Sequence, residues 1–377
     1  VDLLYGMFRE FDKMPFEILI FSEEIHQTLI GVSENLMTYP APIPQLIFER
    51  MKELPISKLE HATFYLSYLY KISQDADYYR MLLMVAFERF DSWSLDEVCG
   101  FVWQVRRYLF VDRSYFTAED RQELQHRQLR QLYYMSINRV KDHVMKRYPR
   151  YFTDGKKLER IAVVSPQLLS YNHGPTRDSL SMACHLKKYH GCETFAVNTN
   201  TIPKEQYLPF FMGLNPNTNP SFKGHQIIPW NYMTCKDMEI KCFTPEGQGV
   251  SIEKIRTVLD YFLDENIQAA IFDADNIYMA DFVFDRMPTM YVTTGDVVPL
   301  AKVDYLFVGK HLITPFEEDL AKEHGYKVLG RDEFLFSPVE ARQEPNRANY
   351  GIPEENFVYS IVGTRMRSDL TPEFNEI

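Results

Sequence analysis

The sequence lacks the features that mark several large classes of protein. No apolar run reaches the roughly 18 residues that a membrane-spanning helix needs. The five cysteines are odd in number and form no C-x-x-C pair, which argues against a disulfide framework or a zinc site and predicts buried thiols. The sequence also has fewer basic than acidic residues. The formal net charge of −11 makes nucleic acid an unexpected main partner, because a face that binds phosphates must be basic.

Two catalytic loops and a targeting signal are also missing. The serine-hydrolase turn G-x-S-x-G does not occur, and neither does the phosphate loop G-x-x-x-x-G-K-[ST]. The opening residues do not show the basic segment and apolar core of a secretory signal. Together with the unpaired cysteines, this predicts a cytoplasmic protein.

The first part of the chain has the periodicity of helices. Hydrophobic residues make up 45% and charged residues 25% of the sequence, a balance that allows a packed core. Residues 1–155 contain three helix-start signals in which a hydroxyl is followed by an acid three positions later: Ser57 with Glu60, Ser94 with Glu97, and Thr117 with Asp120. The last helix carries one apolar stripe, formed by Leu129, Leu132, Tyr133, Ile137, Val140 and Val144. We therefore predict an all-helical domain over residues 1–155.

Residues 156–335 change to strands that alternate with helices. Short apolar runs predict strands at 161–165, 193–199, 239–244, 269–274, 290–295 and 304–309. Helices are predicted at 178–189, at 255–267, and from Thr314 to near Gly325. This alternation predicts an α/β domain with a doubly wound, parallel sheet, in which ligands bind beyond the carboxyl ends of the strands.

The end of the chain predicts the opening of another domain. Residues 357–363 form a buried strand with a glycine turn, and Thr371, Pro372 and Glu373 are typical of a helix start. Residues 336–377 are therefore expected to be a linker and the first strand of a second, truncated Rossmann-like domain. On this interpretation the chain holds one half of a two-domain enzyme and should not turn over alone.

The loop after the first strand holds the first candidate site. Gly174 allows the backbone to turn close to a ligand, and Thr176 or Asp178 can cap the following helix. His173 and Arg177 are then placed to touch a substrate, the histidine as acid, base or donor and the arginine as a fixed charge. The alternative is structural: Asn172 and Thr176 only cap, and His173 bonds to a neighbouring loop.

Two further clusters follow later strands. The first is formed by Asp273, Asp275 and Asn276, which could act as a base or bind sugar hydroxyls. The second is formed by Thr293, Thr294 and Asp296. No third ligand has metal spacing, so no metal is expected. The alternatives are that Asp275 or Asn276 caps a helix, and that the second cluster closes a turn.

Four other histidines have no spacing that suggests a cofactor. They are His26, His61, His126 and His225, and we expect each to be a surface residue or a hydrogen-bonded core residue.

From Arg160 onward the chain resembles the GT-B class of glycosyltransferases. The resemblance is carried by IAVVSP, NHGPTRDSLSMACHLKKYHG, AAIFDAD, YVTTGD, VGKHLITPFEEDLAKEHG and YGIPEENFVYSIVGTRMR. It implies an acceptor-binding half, in residues 156–335, and a second half that holds a nucleotide-sugar donor. By position, Gly363 and Arg365 match residues that approach the donor diphosphate, although Asp369 stands near the place where that class has a lysine. The helical front followed by such a half also resembles bacterial cytoplasmic enzymes that glycosylate adhesins.

The resemblance implies sugar transfer to a protein or glycan acceptor. It implies no bound metal or cofactor beyond the donor, and roles near the chemistry for His173, Arg177 and Asp273. Two alternatives remain open. One is a sugar-nucleotide epimerase of the same fold. The other is a non-catalytic scaffold whose helical domain docks a partner protein or a second copy of the chain.

Overall fold

The computed structural model describes residues 2–15, 18–19, 22–36, 59–111, 116–148, 157–171, 173–203, 210–211, 222–230, 235, 237–273, 278–293, 298–310 and 313–331. All of these residues fall in one compact unit. The predicted boundary at 155 lies outside them and stays a prediction. The predicted segment 336–377 also lies outside them.

The described part of the first 155 residues is helical. The helices are α1 (Asp2–Phe11), α2 (Glu23–Leu36), α3 (Leu59–Ser73), α4 (Ala76–Arg89), α5 (Leu95–Val111), α6 (Ala118–Arg121) and α7 (Arg130–Met145). Two predicted helix starts are confirmed, since the Ser94 and Glu97 side chains bond each other's backbone amides, and Thr117 and Asp120 do the same. Ser57 of the third pair lies outside the described residues.

Helices α6 and α7 are joined by a π-helical stretch, Gln122–Leu129. The amide of Arg130 donates to the carbonyl of Gln125, five residues back, as in a π-helix. The predicted apolar stripe is confirmed, because all six of its residues are buried.

The rest of the described chain forms an eight-stranded sheet. Its strands are β1 (Arg160–Ser165), β2 (Glu193–Asn198), β3 (Gly224–Trp230), β4 (Met238–Thr244), β5 (Ala269–Asp273), β6 (Thr289–Val292), β7 (Tyr305–Gly309) and β8 (Lys327–Arg331). Their order is β3-β4-β2-β1-β5-β6-β7-β8. Only β3, at one edge, is antiparallel to its neighbour. The predicted α/β class and doubly wound sheet are therefore confirmed.

Helices connect the parallel strands. They are α8 (Gly174–His190), α9 (Ile252–Asp264), α10 (Tyr278–Val283) and α11 (Pro315–Glu323). The chain adds strands to the sheet in two directions: from β1 to β2 on one side, and from β5 to β8 on the other. Because parallel crossovers are right-handed, α8 lies on one face of the sheet, and α9, α10 and α11 lie on the other.

The helical region packs on the face that carries α9 and α10. Alternate strand residues such as Val164 and Phe272 share one buried apolar cluster with Leu132 and Tyr133 of α7. Polar contacts join the same parts: Tyr133 donates to the carboxylate of Asp281 in α10. The two predicted regions thus have a continuous core in the described part of the chain.

The sequence predictions miss two strands and place the start of one helix too late. Strand β3 was not predicted, because its residues are mostly exposed and contain Pro229, which is typical of a sheet edge. Strand β8 was not predicted either, since it is short and contains Gly330. Helix α8 begins at Gly174, one turn earlier than the predicted start at Asp178.

Candidate functional site

The strand order defines where a ligand is expected. From β1 the chain continues to β2 on one side, while β5 pairs with β1 on the other side and leads away to β8. The sheet therefore reverses its winding between β1 and β5. In open α/β sheets this switch point opens a crevice beyond the carboxyl ends of the two strands.

Four neighbouring strands present polar side chains at this edge. In spatial order these are Asn198 at the end of β2, Ser165 at the end of β1, Asp273 at the end of β5, and Thr293 directly after β6. All four residues are buried. The amide nitrogen of Asn198 and the hydroxyl of Thr293 have no hydrogen-bond partner within the described part of the chain. Buried polar atoms of this kind fit a ligand that supplies hydrogen bonds.

A short hydrogen bond joins α8 to the end of β5. The Ser179 hydroxyl donates to Oδ2 of Asp273 at 2.6 Å, and both side chains are fully buried. This distance is typical of a hydroxyl bonded to a carboxylate. The bond crosses the switch point, since α8 follows β1. It holds the first turns of α8 against the end of β5.

The amino end of α8 is built around Thr176. His173 is the N-cap residue, but its side chain makes no capping bond. The Thr176 hydroxyl instead accepts the Leu169 amide at 2.8 Å and lies 2.8 Å from Nδ1 of His173. The prediction that Thr176 or Asp178 caps α8 is therefore wrong. Thr176 is the third residue of the helix, in its first turn, and ties the β1–α8 loop to the His173 ring.

His173 is half-buried, and burial lowers the pKa of its imidazole from the usual value. The ring is therefore neutral at pH 7. If Nδ1 carries the proton and donates to Thr176, Nε2 keeps a lone pair and can take a proton from a substrate. If Thr176 donates to Nδ1, Nε2 carries the hydrogen and can only donate. Either tautomer leaves Nε2 for a ligand.

Arg177 and Gly174 flank this histidine. The Arg177 side chain is exposed, so the structure leaves its guanidinium accessible. Gly174 is the first residue of α8 and does not have a left-handed φ. A Cβ built on it meets no heavy atom within 4 Å. The backbone therefore does not require glycine there, in contrast to the prediction, and the space beside Gly174 is open.

Several predicted site residues lie outside the described residues. They are Asn172, Asp275, Asn276, Thr294, Asp296, Gly363 and Arg365, and their roles stay predictions. Of the predicted residues that are described, His173 and Thr176 contact each other, and Asp273 is joined to their helix through Ser179. Groups of acids, histidines and cysteines suited to a metal ion do not occur among the described residues.

Sequence reasoning missed three residues of this edge. Ser179 and Asn198 gave no motif, because their positions depend on contacts between distant segments. Lys254, the third, is buried in α9 and donates to the backbone carbonyls of Asn200, Gly247 and Gly249 at 2.8, 2.9 and 2.8 Å. It thereby fixes the loop after β2 to the loop after β4 at the carboxyl edge of the sheet.

Comparisons with known proteins add little to this picture. No protein-family model matches the chain, and no curated protein matches it. One similar solved structure is a mutant of the O-GlcNAc transferase from Thermobaculum terrenum, with 12% identity and a TM-score of 0.33. The match covers 88% of this chain and 57% of that chain, so this chain spans a little over half of it. A likeness of this size carries no argument about fold or activity. Separately, no helix in the described part of the chain is long and apolar enough to cross a membrane.

Proposed function

We propose that this chain is the acceptor-side half of a glycosyltransferase that moves a sugar from a nucleotide-sugar donor to a protein or glycan acceptor. The observation that carries the proposal is the row of buried polar residues on both sides of the switch point, Asn198, Ser165, Asp273 and Thr293. The sequence resemblance to GT-B enzymes supports the same class. A cytoplasmic location and transfer without a bound metal ion belong to the proposal.

This edge suits a ligand that is rich in hydroxyl groups. A carboxylate accepts hydrogen bonds, an amide both donates and accepts, and serine and threonine hydroxyls do either. Sugar hydroxyls need this mixture of partners. A site that bonds each hydroxyl also rejects analogues that lack one, because its own buried polar atoms would lose their partners.

His173 is the residue that we place nearest the chemistry. In the tautomer with hydrogen on Nδ1, its Nε2 takes the proton of the acceptor nucleophile. The nucleophile forms its bond to the anomeric carbon of the donor sugar while the bond to the nucleoside diphosphate breaks. Thr176 keeps the ring in this orientation through the 2.8 Å contact with Nδ1.

Positive potential at the start of α8 stabilises the negative charge that develops on the leaving nucleoside diphosphate. The amides of Gly174 and Thr176 lie in the first turn of the helix, where amides have no acceptor within the helix. The exposed Arg177 adds a full charge next to them. Helix amino ends and arginines stabilise phosphate oxygens in this way.

Kinetics of single variants test the proposal. The assay uses a full-length protein that contains this chain, a panel of nucleotide sugars, and protein or glycan acceptors. His173→Gln should lower kcat/KM for transfer by about a hundredfold or more, the usual contribution of a positioned acid or base. His190→Gln is the matched control, because His190 is exposed at the other end of the same helix. Equal activity of the two variants would refute the role of His173.

Omitting the acceptor separates the epimerase alternative. A transferase forms no new glycoside without an acceptor, whereas an epimerase converts the nucleotide sugar itself. The scaffold alternative predicts that neither reaction occurs and that substitutions at His173 and Arg177 change nothing.

A further inference from the structure

A second cluster of polar side chains lies where the helical region meets the connection between α11 and β8. Five basic residues come together there: Arg106 of α5, Arg121 of α6, His126 of the π-helical stretch, Arg130 of α7, and His324 just after α11. Burial lowers the pKa of His126 well below its usual value, and the charges of Arg106, Arg130, His324 and Arg121 lower it further. Four side chains therefore act on the His126 ring, and the His324 ring lies 5.9 Å from the ring of Tyr326, whose hydroxyl accepts a hydrogen bond from Arg130.

The centre of this cluster is closed off from solvent. His126 is 9% exposed and Arg130 is 5% exposed. The guanidinium of Arg130 donates to the hydroxyls of Tyr326 and Tyr134. Burial raises the pKa of both tyrosines, so they are neutral and supply no opposite charge. Among the described residues no carboxylate lies within ion-pair distance of Arg130, and the buried Asp281 acts on it only from farther away. Asp281 alone does not neutralise both Arg121 and Arg130, and buried charge that is not fully compensated is energetically expensive.

Several nitrogen atoms in the cluster lack hydrogen-bond partners. Within the described part of the chain, four buried nitrogens have none: Nη1 of Arg130, Nδ1 of His126, Nε of Arg121 and Nε2 of His324. This differs from the expectation that His126 is exposed or hydrogen-bonded. Unsatisfied buried polar atoms in a native protein call for a bound ion or water.

The π-helical geometry explains how one helix contributes three of these residues. Arg121 and His126 are five residues apart, the spacing that one turn of a π-helix places above one another. Arg130 follows four residues later, one turn further at the start of α7. In an uninterrupted α-helix the spacing of five would turn Arg121 away from His126. π-Helical turns occur frequently at functional sites.

We propose that Arg121, His126, Arg130 and His324 form a binding site for a small oxyanion of the phosphate type. Such an anion supplies both the missing negative charge and several hydrogen-bond acceptors. The site is separate from the crevice described above. Tyr326 and His324 precede the amino end of β8, three strands away from β5, whereas the crevice lies beyond the carboxyl ends of β1 and β5.

Equilibrium dialysis of the full chain against radiolabelled inorganic phosphate, at pH 7 and constant ionic strength, tests the proposal. We expect one saturable phosphate per chain. His126→Gln and Arg121→Gln should each weaken binding by about tenfold, the effect of one charge-assisted hydrogen bond. Arg127→Gln is the matched control, because Arg127 is exposed on the same stretch and pairs only with Glu123 among the described residues. Both test variants keep Arg130 and its tyrosine partners, which protects the fold.

Two results would overturn the proposal. One is the absence of saturable phosphate binding by the unmodified chain. The other is an equal loss of binding in Arg127→Gln and His126→Gln, which would indicate general attraction to positive charge. Competition of unlabelled glucose 1-phosphate with the labelled phosphate identifies the source of the oxyanion. Displacement of phosphate would assign the site to phosphate esters, and no displacement would assign it to the free ion.

Discussion

Removing the Ser179 hydroxyl gives a sensitive test of how the switch point is held together. Ser179→Ala deletes the donor to Oδ2 of Asp273 and leaves a buried carboxylate oxygen without that partner. Because the acceptor is a carboxylate oxygen and both residues are fully buried, we assign the bond to the stronger class in which one partner is charged. Bonds of this class contribute about 1.5 to 3 kcal/mol, and we expect a loss of about 2 to 3 kcal/mol in the free energy of unfolding.

Ser136→Ala is the matched control. Ser136 is also buried in a helix, but its hydroxyl donates at 2.6 Å to the carbonyl of Tyr133 in the preceding turn. Loss of this neutral bond should cost about 0.5 to 1 kcal/mol. Urea denaturation followed by circular dichroism measures both variants, with equal m-values as the condition for comparison. If Ser179→Ala costs no more than Ser136→Ala, the bond does not hold α8 to β5 as we describe.

Three further predictions follow from the structure. Burial raises the pKa of Asp281 to about 6. Between about pH 4 and 6 the folded chain therefore keeps a proton on this carboxyl group that the unfolded chain has already released. Folding stability is lost as the pH rises through this range. Urea titrations measure the free energy of unfolding of Asp281→Asn and of the unmodified chain at each pH. The value for the variant minus the value for the unmodified chain should increase by about 1.4 kcal/mol between pH 5 and 7.5. A difference that does not change with pH would contradict the shifted pKa. Gly174→Ala should leave the melting temperature unchanged or slightly higher, because alanine favours the helix and its Cβ meets no neighbour. The same substitution should weaken substrate binding, because the methyl group fills the open space beside Gly174. Unchanged binding would show that ligands do not approach Gly174. Thr176→Val removes the partner of Nδ1 of His173 and should lower kcat/KM for transfer about tenfold. In the unmodified enzyme, the rate of transfer should rise with pH through a pKa below 6.5 and then stay level, because His173 must lose its proton to act as a base. A rate that instead falls as His173 loses its proton would contradict that role.

The sequence predicts the sheet well where strands are buried on both faces. Strand β1 and strand β5 are continuous apolar runs, and such runs stand out in a sequence. Strand β3 does not, since residues of an exposed edge such as Ile227, which is 64% exposed, follow no clear pattern of burial. The core of a parallel sheet is therefore easier to predict than its edges.

The site is predictable only in part, for a similar reason. The sequence places His173 in the loop after β1 and Asp273 at the end of β5, and the sheet order makes these two strands neighbours. The bond between Ser179 and Asp273 joins residues 94 positions apart, and no local pattern signals it. The basic cluster around His126 depends on a π-helical turn and on His324 from another element. Spacing rules for ordinary helices do not reveal it.

Helix start signals give a mixed result with a physical cause. At α11 the side chains of Thr314 and Glu317 each bond the other's backbone amide, so the helix starts at Thr314 as predicted. At α8, Thr176 is inside the helix, where its hydroxyl bonds the Leu169 amide and the His173 ring. Departures of this kind from local rules are expected at functional sites, where side chains have partners other than the helix end.

The central claim is that substrate binds at the switch point between β1 and β5. A crystal structure of a full-length protein containing this chain, with an acceptor or nucleotide sugar bound, tests it most directly. We predict ligand hydroxyls within hydrogen-bond distance of the Asp273 carboxylate or of Nε2 of His173. A ligand bound at the amino ends of the strands, with no contact to either residue, would contradict the claim.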